Sequence, residues 1–124
     1  MKADKRVSKI EFDRVLDTIE SICASSLCRG YIIGYTSVGI RERSKPYRGN
    51  GYYYSVVLLD NLTENEALDL EERLQLECKS GKSGPAYRRK YCRHRVNHPY
   101  VRSAGGGSRK PLSPVHSIYM VWYE

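Results

Sequence analysis

One carboxylate in this sequence lies where the pattern predicts an apolar side chain. Ala67, Leu70, Leu74 and Cys78 recur at helical spacing and predict one buried helix face, and Glu71 lies within that face. Burying an ionised carboxylate is strongly destabilising unless the group is paired, hydrogen-bonded or bound to a metal. Glu71 is therefore the residue that most needs an explanation, and a bound metal is one explanation.

Two structural explanations stand beside that one. Glu71 can lie at the rim of the apolar face, where it reaches water, or it can form an ion pair with Arg43 or Arg41. Arg43 is followed four residues later by Tyr47, so helical turns in the polar stretch 37–51 would place these two side chains one above the other.

The helices that position these residues have clear start signals. Thr63 and Glu66 have the spacing of a capping box, which starts the helix that carries Glu71. Residues 7–26 carry apolar side chains at helical spacing and predict an amphipathic helix at the N-terminal end. We interpret this second helix as scaffold.

Three stretches rich in β-formers predict strands, at residues 31–36, 52–59 and 116–123. Tyr31 and Tyr35 share one face of the first strand, so their phenols point to the same side. Both faces of the second strand carry apolar or aromatic groups, which predicts a central strand covered on each side.

Length and pattern together indicate one domain. A chain of 124 residues can bury one hydrophobic core. We expect an α+β fold with a small mixed or antiparallel three-stranded sheet flanked by helices. The expected parts are an N-terminal amphipathic helix (1–27), a motif core (31–78), a basic segment (79–115) and a C-terminal strand (116–124).

The net charge of +7 is unevenly distributed, with −2 in residues 1–78 and +9 in residues 79–124. Tyr87 and Tyr91 align at i and i+4 in the basic segment, and a face of tyrosines and arginines suits phosphates and exposed bases. A solvated basic helix is the alternative. The expected partner is a nucleic acid, with candidate contacts at Arg41, Lys45, Arg48, Arg88, Arg89, Lys90, Arg93, Arg95 and Arg102.

The cysteines and the N-terminus bear on location and metal content. No apolar stretch has the length of a membrane span, and the first residues lack the apolar region of a signal peptide, so we expect an intracellular protein, cytoplasmic or nuclear, without a membrane partner. Its four cysteines are then thiols. A structural zinc site built from Cys78, Cys92, His94 and His98 is an alternative, although no close Cys-x-x-Cys pair is present.

Taken in order, these segments resemble the GIY-YIG nuclease family. Residues 32–37, IIGYTS, look like the family's second motif, Tyr-Ile-Gly-x-Thr, and Arg43 with Tyr47 looks like its arginine followed by tyrosine or histidine. Residues 67–71, ALDLE, are similar to its metal-binding helix, with Glu71 on the catalytic glutamate.

The resemblance extends to about residue 97, where Asn97 looks like the family's late asparagine, but it lacks one element. No Gly-Ile-Tyr strand precedes Tyr31, and Ile32 stands where the second motif has its tyrosine. Ser117-Ile118-Tyr119 can take the place of the missing strand in a permuted arrangement, which would put Tyr119 near the site.

The family's activity implies hydrolysis of a phosphodiester in a nucleic acid, DNA in preference to RNA, with Mg²⁺ or Mn²⁺ held by Glu71. Arg43 would contact the scissile phosphate. Tyr31 or Tyr35 would orient or deprotonate the attacking water, and Tyr47 would help to position it. A phenolate base would need a nearby cation such as Arg43.

Other functions stay open at this point. The missing first strand favours a nucleic-acid-binding module that has lost catalysis on the same fold, and the zinc site would instead indicate a protein–protein interaction domain. A chain of this size that cuts two strands works as a homodimer or within a larger assembly in many cases, but no interface is legible in the sequence.

Overall fold

The computed structural model describes residues 7–92 and 115–124 of the chain. Within these ranges the chain alternates between helices and strands. The elements are helix α1 (Lys9–Cys23), strand β1 (Gly30–Thr36), helices α2 (Ile40–Arg43) and α3 (Lys45–Arg48), strand β2 (Tyr54–Leu62), helices α4 (Glu64–Cys78) and α5 (Ala86–Lys90), and strand β3 (His116–Tyr123).

The three strands form one antiparallel sheet in the order β1-β3-β2, and the helices flank it. The predicted α+β class, with a three-stranded sheet flanked by helices, is confirmed. Strand β3 pairs with β1 without a break, from Gly30 opposite Tyr123 to Thr36 opposite Ser117. The strand at the C-terminal end of the sequence therefore lies in the middle of the sheet.

The prediction that residues 52–59 form the central strand was wrong. Strand β2 lies at the edge of the sheet, and Tyr53 and Tyr54 leave 67% and 43% of their surface exposed. The pattern misled because tyrosine is amphipathic, and a run of tyrosines is as compatible with an exposed face as with a buried one. The central strand is β3, and both of its faces are buried: Met120 packs in the cluster on one face and Val121 in the cluster on the other.

The predicted capping box at Thr63 is complete, and a serine caps the start of α1. The Thr63 hydroxyl accepts from the Glu66 backbone N–H at 3.1 Å, and the Glu66 carboxylate accepts from the Thr63 N–H at 2.9 Å. At the start of α1 the Ser8 hydroxyl accepts from the Glu11 N–H at 3.1 Å. Each such cap contributes about 1 kcal/mol to helix stability.

The sheet separates two hydrophobic clusters. The larger one joins Ile33 and Met120 of the sheet to Ile19 of α1 and to Leu70 and Leu74 of α4. On the opposite face the smaller cluster contains Ile32, Tyr47, Tyr119 and Val121. Burying an aliphatic or aromatic side chain of this size contributes roughly 1.5–3 kcal/mol. The larger cluster, under α1 and α4, therefore supplies most of the hydrophobic stabilisation.

Helix α5 is bound to the scaffold through the residues that were predicted to face a nucleic acid. Tyr87 and Tyr91 are both buried, which contradicts the predicted exposed face of tyrosines and arginines. Tyr91 follows the helix and packs its ring edge-on against Tyr31, with 5.3 Å between the ring centroids. The Glu20 carboxylate of α1 accepts from the backbone N–H groups of Ala86 and Tyr87 and so caps α5 from outside.

A charged cluster between α4 and α5 predicts acid sensitivity. The Tyr87 hydroxyl at 2.7 Å and the Arg88 guanidinium at 2.6 Å hold the pKa of the Glu77 carboxyl below its ordinary value of 4.5. Stabilisation from Glu77 is therefore complete above its unfolded-state pKa and is lost as the pH falls through the lower folded-state pKa. We expect the thermal unfolding midpoint of Glu77→Gln to fall less than that of wild type between about pH 5 and about pH 3. An equal fall in both proteins would contradict this.

No helix among residues 7–92 and 115–124 is long and apolar enough to cross a membrane.

Candidate functional site

Three candidate residues, Tyr35, Glu71 and Arg43, interact electrostatically near the carboxyl-terminal end of β1. Helix α4 packs on the face of the sheet that carries Ile33 and Met120, and the Gln75 side-chain amide donates to the Ile33 carbonyl at 3.2 Å. Residues four apart on a helix are neighbours, so Glu71 lies one turn from Gln75. Cys78, on the opposite side of Gln75, contacts Tyr31, which places Glu71 on the side of Tyr35.

Glu71 is half-buried, whereas Ala67, Leu70 and Leu74 on either side of it are fully buried. It thus lies at the rim of the apolar face rather than at its centre. An ionised carboxylate at a rim retains contact with water, which makes its charge tolerable and keeps it within reach of a ligand. The site is therefore accessible to a cation.

Tyr35 on β1 is half-buried next to this carboxylate. Burial raises the pKa of the Tyr35 phenol, the negative charges of Glu71 and Glu64 raise it further, and the positive charge of Arg43 offsets part of the rise. The phenol is protonated at neutral pH as a result. The geometry favours a phenol that orients a ligand through its hydroxyl, rather than a phenolate base.

Arg43 is anchored by two tyrosines on the other face of the sheet. Its guanidinium carbon lies 5.8 Å from the ring centroid of Tyr47 and 5.7 Å from that of Tyr119. The two phenol hydroxyls are 2.8 Å apart and hydrogen-bond each other, and each tyrosine is 1% exposed. Cation–π contacts of this kind are worth about 0.5–2 kcal/mol, so the rings fix the position of a half-buried arginine.

Gly34 makes room for this tyrosine pair. It lies opposite Tyr119 in the β1–β3 ladder, and a Cβ atom at Gly34 would overlap the hydroxyl and ring of Tyr119. The glycine in the motif IIGYT is therefore required by packing. Its substitution would displace the ring that supports Arg43.

Gly34→Ala is accordingly expected to destabilise the protein. Overpacking of a well-filled region costs typically 1–3 kcal/mol, and we expect a loss of that size in the free energy of unfolding, measured with denaturant. Gly39→Ala is the matched control, because a Cβ atom there has no neighbour within 4 Å among the described residues and the backbone φ is −64°. Equal stabilities of the two variants would contradict the packing role of Gly34.

Tyr31, the other tyrosine proposed to act on water, lies in the core. It is fully buried, its hydroxyl donates to the Tyr87 carbonyl at 2.7 Å, and burial raises the pKa of its phenol. It sits at the opposite end of β1 from Thr36. Of the two tyrosines proposed for that role, Tyr35 is the one beside Glu71 and Arg43.

The basic candidates divide into exposed and engaged side chains. On α2 and α3, Arg41, Lys45 and Arg48 are exposed, with Lys45 3.3 Å from Glu42. On α5, Arg88 pairs with Glu77 and Lys90 donates to the carbonyls of Cys23 and Ser25. Arg89 is exposed. The candidates outside the described residues are Arg93, Arg95, Asn97 and Arg102.

The two cysteines of the alternative zinc site lie on different faces of the sheet. Cys78 belongs to the cluster under α1 and α4, whereas Cys92 packs on the other cluster and accepts from the Tyr52 hydroxyl at 3.3 Å. His94 and His98 lie outside the described residues. Within 7–92 and 115–124, no group of three or more His, Cys, Asp or Glu residues could hold a metal ion. Any cation here would rely on Glu71 and on oxygen atoms from a substrate and water.

His116 is a residue that the sequence analysis did not single out. It is 5% exposed, and its ring lies 6.1 Å from the Tyr35 ring, centroid to centroid, at an angle of 33°. Its Nδ1 atom has no hydrogen-bond partner among the described residues. The alternation of side chains in β3 predicts that His116 is buried, because it shares a face with Ile118 and Met120.

Comparison with known proteins adds no relative. No protein-family model matches the chain, and neither the curated proteins nor the solved structures gave a match. A function for this chain must therefore be argued from the geometry of its own residues.

Proposed function

We propose that this protein is a metal-dependent endonuclease that hydrolyses phosphodiester bonds in nucleic acid, with DNA preferred over RNA. The observation that carries the proposal is that the charges of Glu71 and Arg43 both act on the Tyr35 phenol near the end of β1, while Arg43 is held by Tyr47 and Tyr119 on the other face of the sheet. A carboxylate, a phenol and a fixed arginine are the groups that phosphodiester hydrolysis with a divalent cation requires.

The residues present fit a hard cation. Glu71 offers carboxylate oxygens at a rim that water reaches, and Mg²⁺ or Mn²⁺ binds through one or two carboxylates plus substrate phosphate and water. When bound, such an ion would neutralise charge on the phosphate and lower the pKa of a coordinated water. Glu64, whose charge also acts on Tyr35, adds to the negative potential that attracts a cation.

Arg43 would bind the scissile phosphate. Its guanidinium can donate two parallel hydrogen bonds to phosphate oxygens, and these bonds strengthen as negative charge develops in the transition state. The contacts with the rings of Tyr47 and Tyr119 hold the guanidinium before substrate arrives. Less conformational freedom is then lost on binding.

Tyr35 would orient the attacking water. Because its pKa is raised, the phenol carries its proton and can donate a hydrogen bond to the water or to a phosphate oxygen. The same protonation argues against a role as the ground-state general base. The negative charges of Glu71 and Glu64 both act to keep the proton on the phenol.

The position of Tyr119 supports the nuclease interpretation. A permuted arrangement of the family's strands predicts Tyr119 near the site, and its hydroxyl is hydrogen-bonded to that of Tyr47. Strand β3 also lies directly beside β1, which carries the IIGYT motif. The exposed side chains of Arg41, Lys45 and Arg48 provide a basic surface next to Arg43 for the flanking phosphates.

Cleavage of labelled duplex, branched and single-stranded DNA, and of RNA, tests the proposal. We expect strand breaks with Mg²⁺ or Mn²⁺, none after chelation with EDTA, and recovery when the metal is restored. Binding should weaken steeply as salt concentration rises, since phosphate contacts release counterions. Cleavage that persists unchanged in EDTA would contradict the metal dependence.

A nucleic-acid-binding module without catalysis is the second candidate. The observation that favours it is the burial of Tyr47 and Tyr119, which are 1% exposed and whose hydroxyls bond to each other. Only Tyr35 is then placed to orient water. Absence of cleavage on all substrates and metals, with salt-sensitive binding that Arg43→Ala weakens, would select this candidate over the nuclease.

A further inference from the structure

His116 presents a buried polar atom beside the proposed site. The residue opens the central strand β3, and only 5% of its surface is exposed. Nδ1 has no hydrogen-bond partner among the described residues. Buried polar atoms in native proteins are almost always satisfied by protein or by ordered water, so an atom of this kind requires an explanation.

The neighbour of this imidazole is the tyrosine of the proposed site. The rings of His116 and Tyr35 are 6.1 Å apart and inclined by 33°. At this separation the two rings are direct neighbours in the helix-covered face of the sheet. A buried water typically makes about three hydrogen bonds, so a water bound at Nδ1 can also bond to other polar groups.

We propose that His116 is a positioning residue, which binds a water molecule at Nδ1 and through it fixes the Tyr35 phenol relative to Glu71. His116 acts through Tyr35 and does not itself touch the substrate. Its effect on cleavage rests on the proposed function, whereas its contact with Tyr35 does not. An apolar aromatic ring at position 116 would pack against Tyr35 equally well. A positioning role explains why this ring carries a buried nitrogen without a hydrogen-bond partner among the described residues.

Two substitutions separate the nitrogen from the ring. His116→Phe keeps an aromatic ring against Tyr35 and removes Nδ1, whereas His116→Asn drops the ring and keeps a polar atom close to the Nδ1 position. Groups that orient a site residue change activity by about 10–100-fold. We therefore expect kcat to fall at least about tenfold in His116→Phe with KM nearly unchanged, and to be largely retained in His116→Asn.

A spectroscopic measurement makes the test independent of activity. In protein labelled with ¹³C at tyrosine Cζ, the Tyr35 resonance is assigned with Tyr35→Phe. It should shift in His116→Phe and return toward its wild-type position in His116→Asn. The resonance of Tyr119, which lies on the opposite face of the sheet, should stay in place and so reports that the fold is intact.

The outcomes are distinct. An unshifted Tyr35 resonance in His116→Phe, or a smaller loss of kcat in that variant than in His116→Asn, overturns the positioning role and leaves His116 as a packing residue. If wild type does not cut nucleic acid, the proposed function fails, but the shift of Tyr35 still decides the contact with His116. A shift together with active wild type and impaired His116→Phe supports both.

Discussion

Glu71→Gln is expected to lower the cleavage rate at least about a hundredfold while nucleic-acid binding changes less than tenfold. The substitution keeps the shape of the side chain and removes the charge that would hold a divalent cation. Removing one group that stabilises charge in a transition state costs on the order of 10²–10³ in rate. Binding is carried by basic side chains and so survives the change.

Single-turnover cleavage and fluorescence anisotropy on the same labelled substrate measure the two quantities. Glu72→Gln is the matched control, because it removes the same charge from the next residue of α4, which is exposed. A rate loss in Glu71→Gln alone supports the proposed ligand. Comparable losses in both variants would instead indicate a general effect of charge on α4.

The structural explanation of Glu71 makes a different prediction. If its role were an ion pair with an arginine, Glu71→Gln would lower the midpoint of thermal unfolding without a specific effect on the rate. Breaking a partly exposed ion pair costs roughly 0–1 kcal/mol. Unfolding measured alongside cleavage therefore distinguishes a lost ligand from a lost structural contact.

The helix that carries Glu71 could be predicted because its signals are local. The Thr63–Glu66 capping box and the apolar stripe that ends at Cys78 all lie within the helix or at its start, and the boundaries agree with those observed. Glu71 was recognised by its conflict with that stripe. Its place at the rim depends on tertiary packing, which the local pattern does not specify.

The order of the strands could not be predicted in the same way. Pairing of β1 with β3 joins segments that are far apart in the chain, and nothing local in either one specifies its partner. The predicted exposure of the tyrosines in the basic segment was wrong for a related reason. Tyr87 and Tyr91 have amphipathic rings, so their type does not decide whether they are buried. Tyr87 contacts Glu77 of α4 and Tyr91 contacts Tyr31 of β1, and neither contact is specified within the basic segment itself.

The contacts of Arg43 with Tyr47 and Tyr119 could be predicted only in part. The spacing alone predicted that Arg43 and Tyr47 lie on the same side of a helical turn. The contact between the two side chains agrees with this prediction, although Ser44 separates two short helices there. The proximity of Tyr119 was predicted only by the permuted arrangement. His116 was missed because its local signal, a shared face with Ile118 and Met120, predicts burial and does not specify the contact with Tyr35.

Arg43→Ala is expected to lower the cleavage rate by about 10²–10³-fold, the size of effect seen when one preorganised donor to a developing charge is removed. Arg43→Lys should recover only a small part of this loss. An ammonium group keeps the charge, but it lacks the planar fork that binds two phosphate oxygens and contacts the rings of Tyr47 and Tyr119.

Arg41→Ala provides the control for this prediction. Arg41 lies on the same short helix and is exposed, so its loss should weaken binding modestly, reduce the salt dependence of binding and leave the rate at saturating substrate unchanged. Single-turnover rates over a range of enzyme concentrations separate the two effects, because binding and cleavage then appear in different parameters. Equal rate losses at saturation in Arg41→Ala and Arg43→Ala would mean that the arginines act only as a diffuse basic surface. A loss confined to Arg43 assigns it to the scissile phosphate, because the two residues carry the same charge and differ in their anchoring by the tyrosine rings.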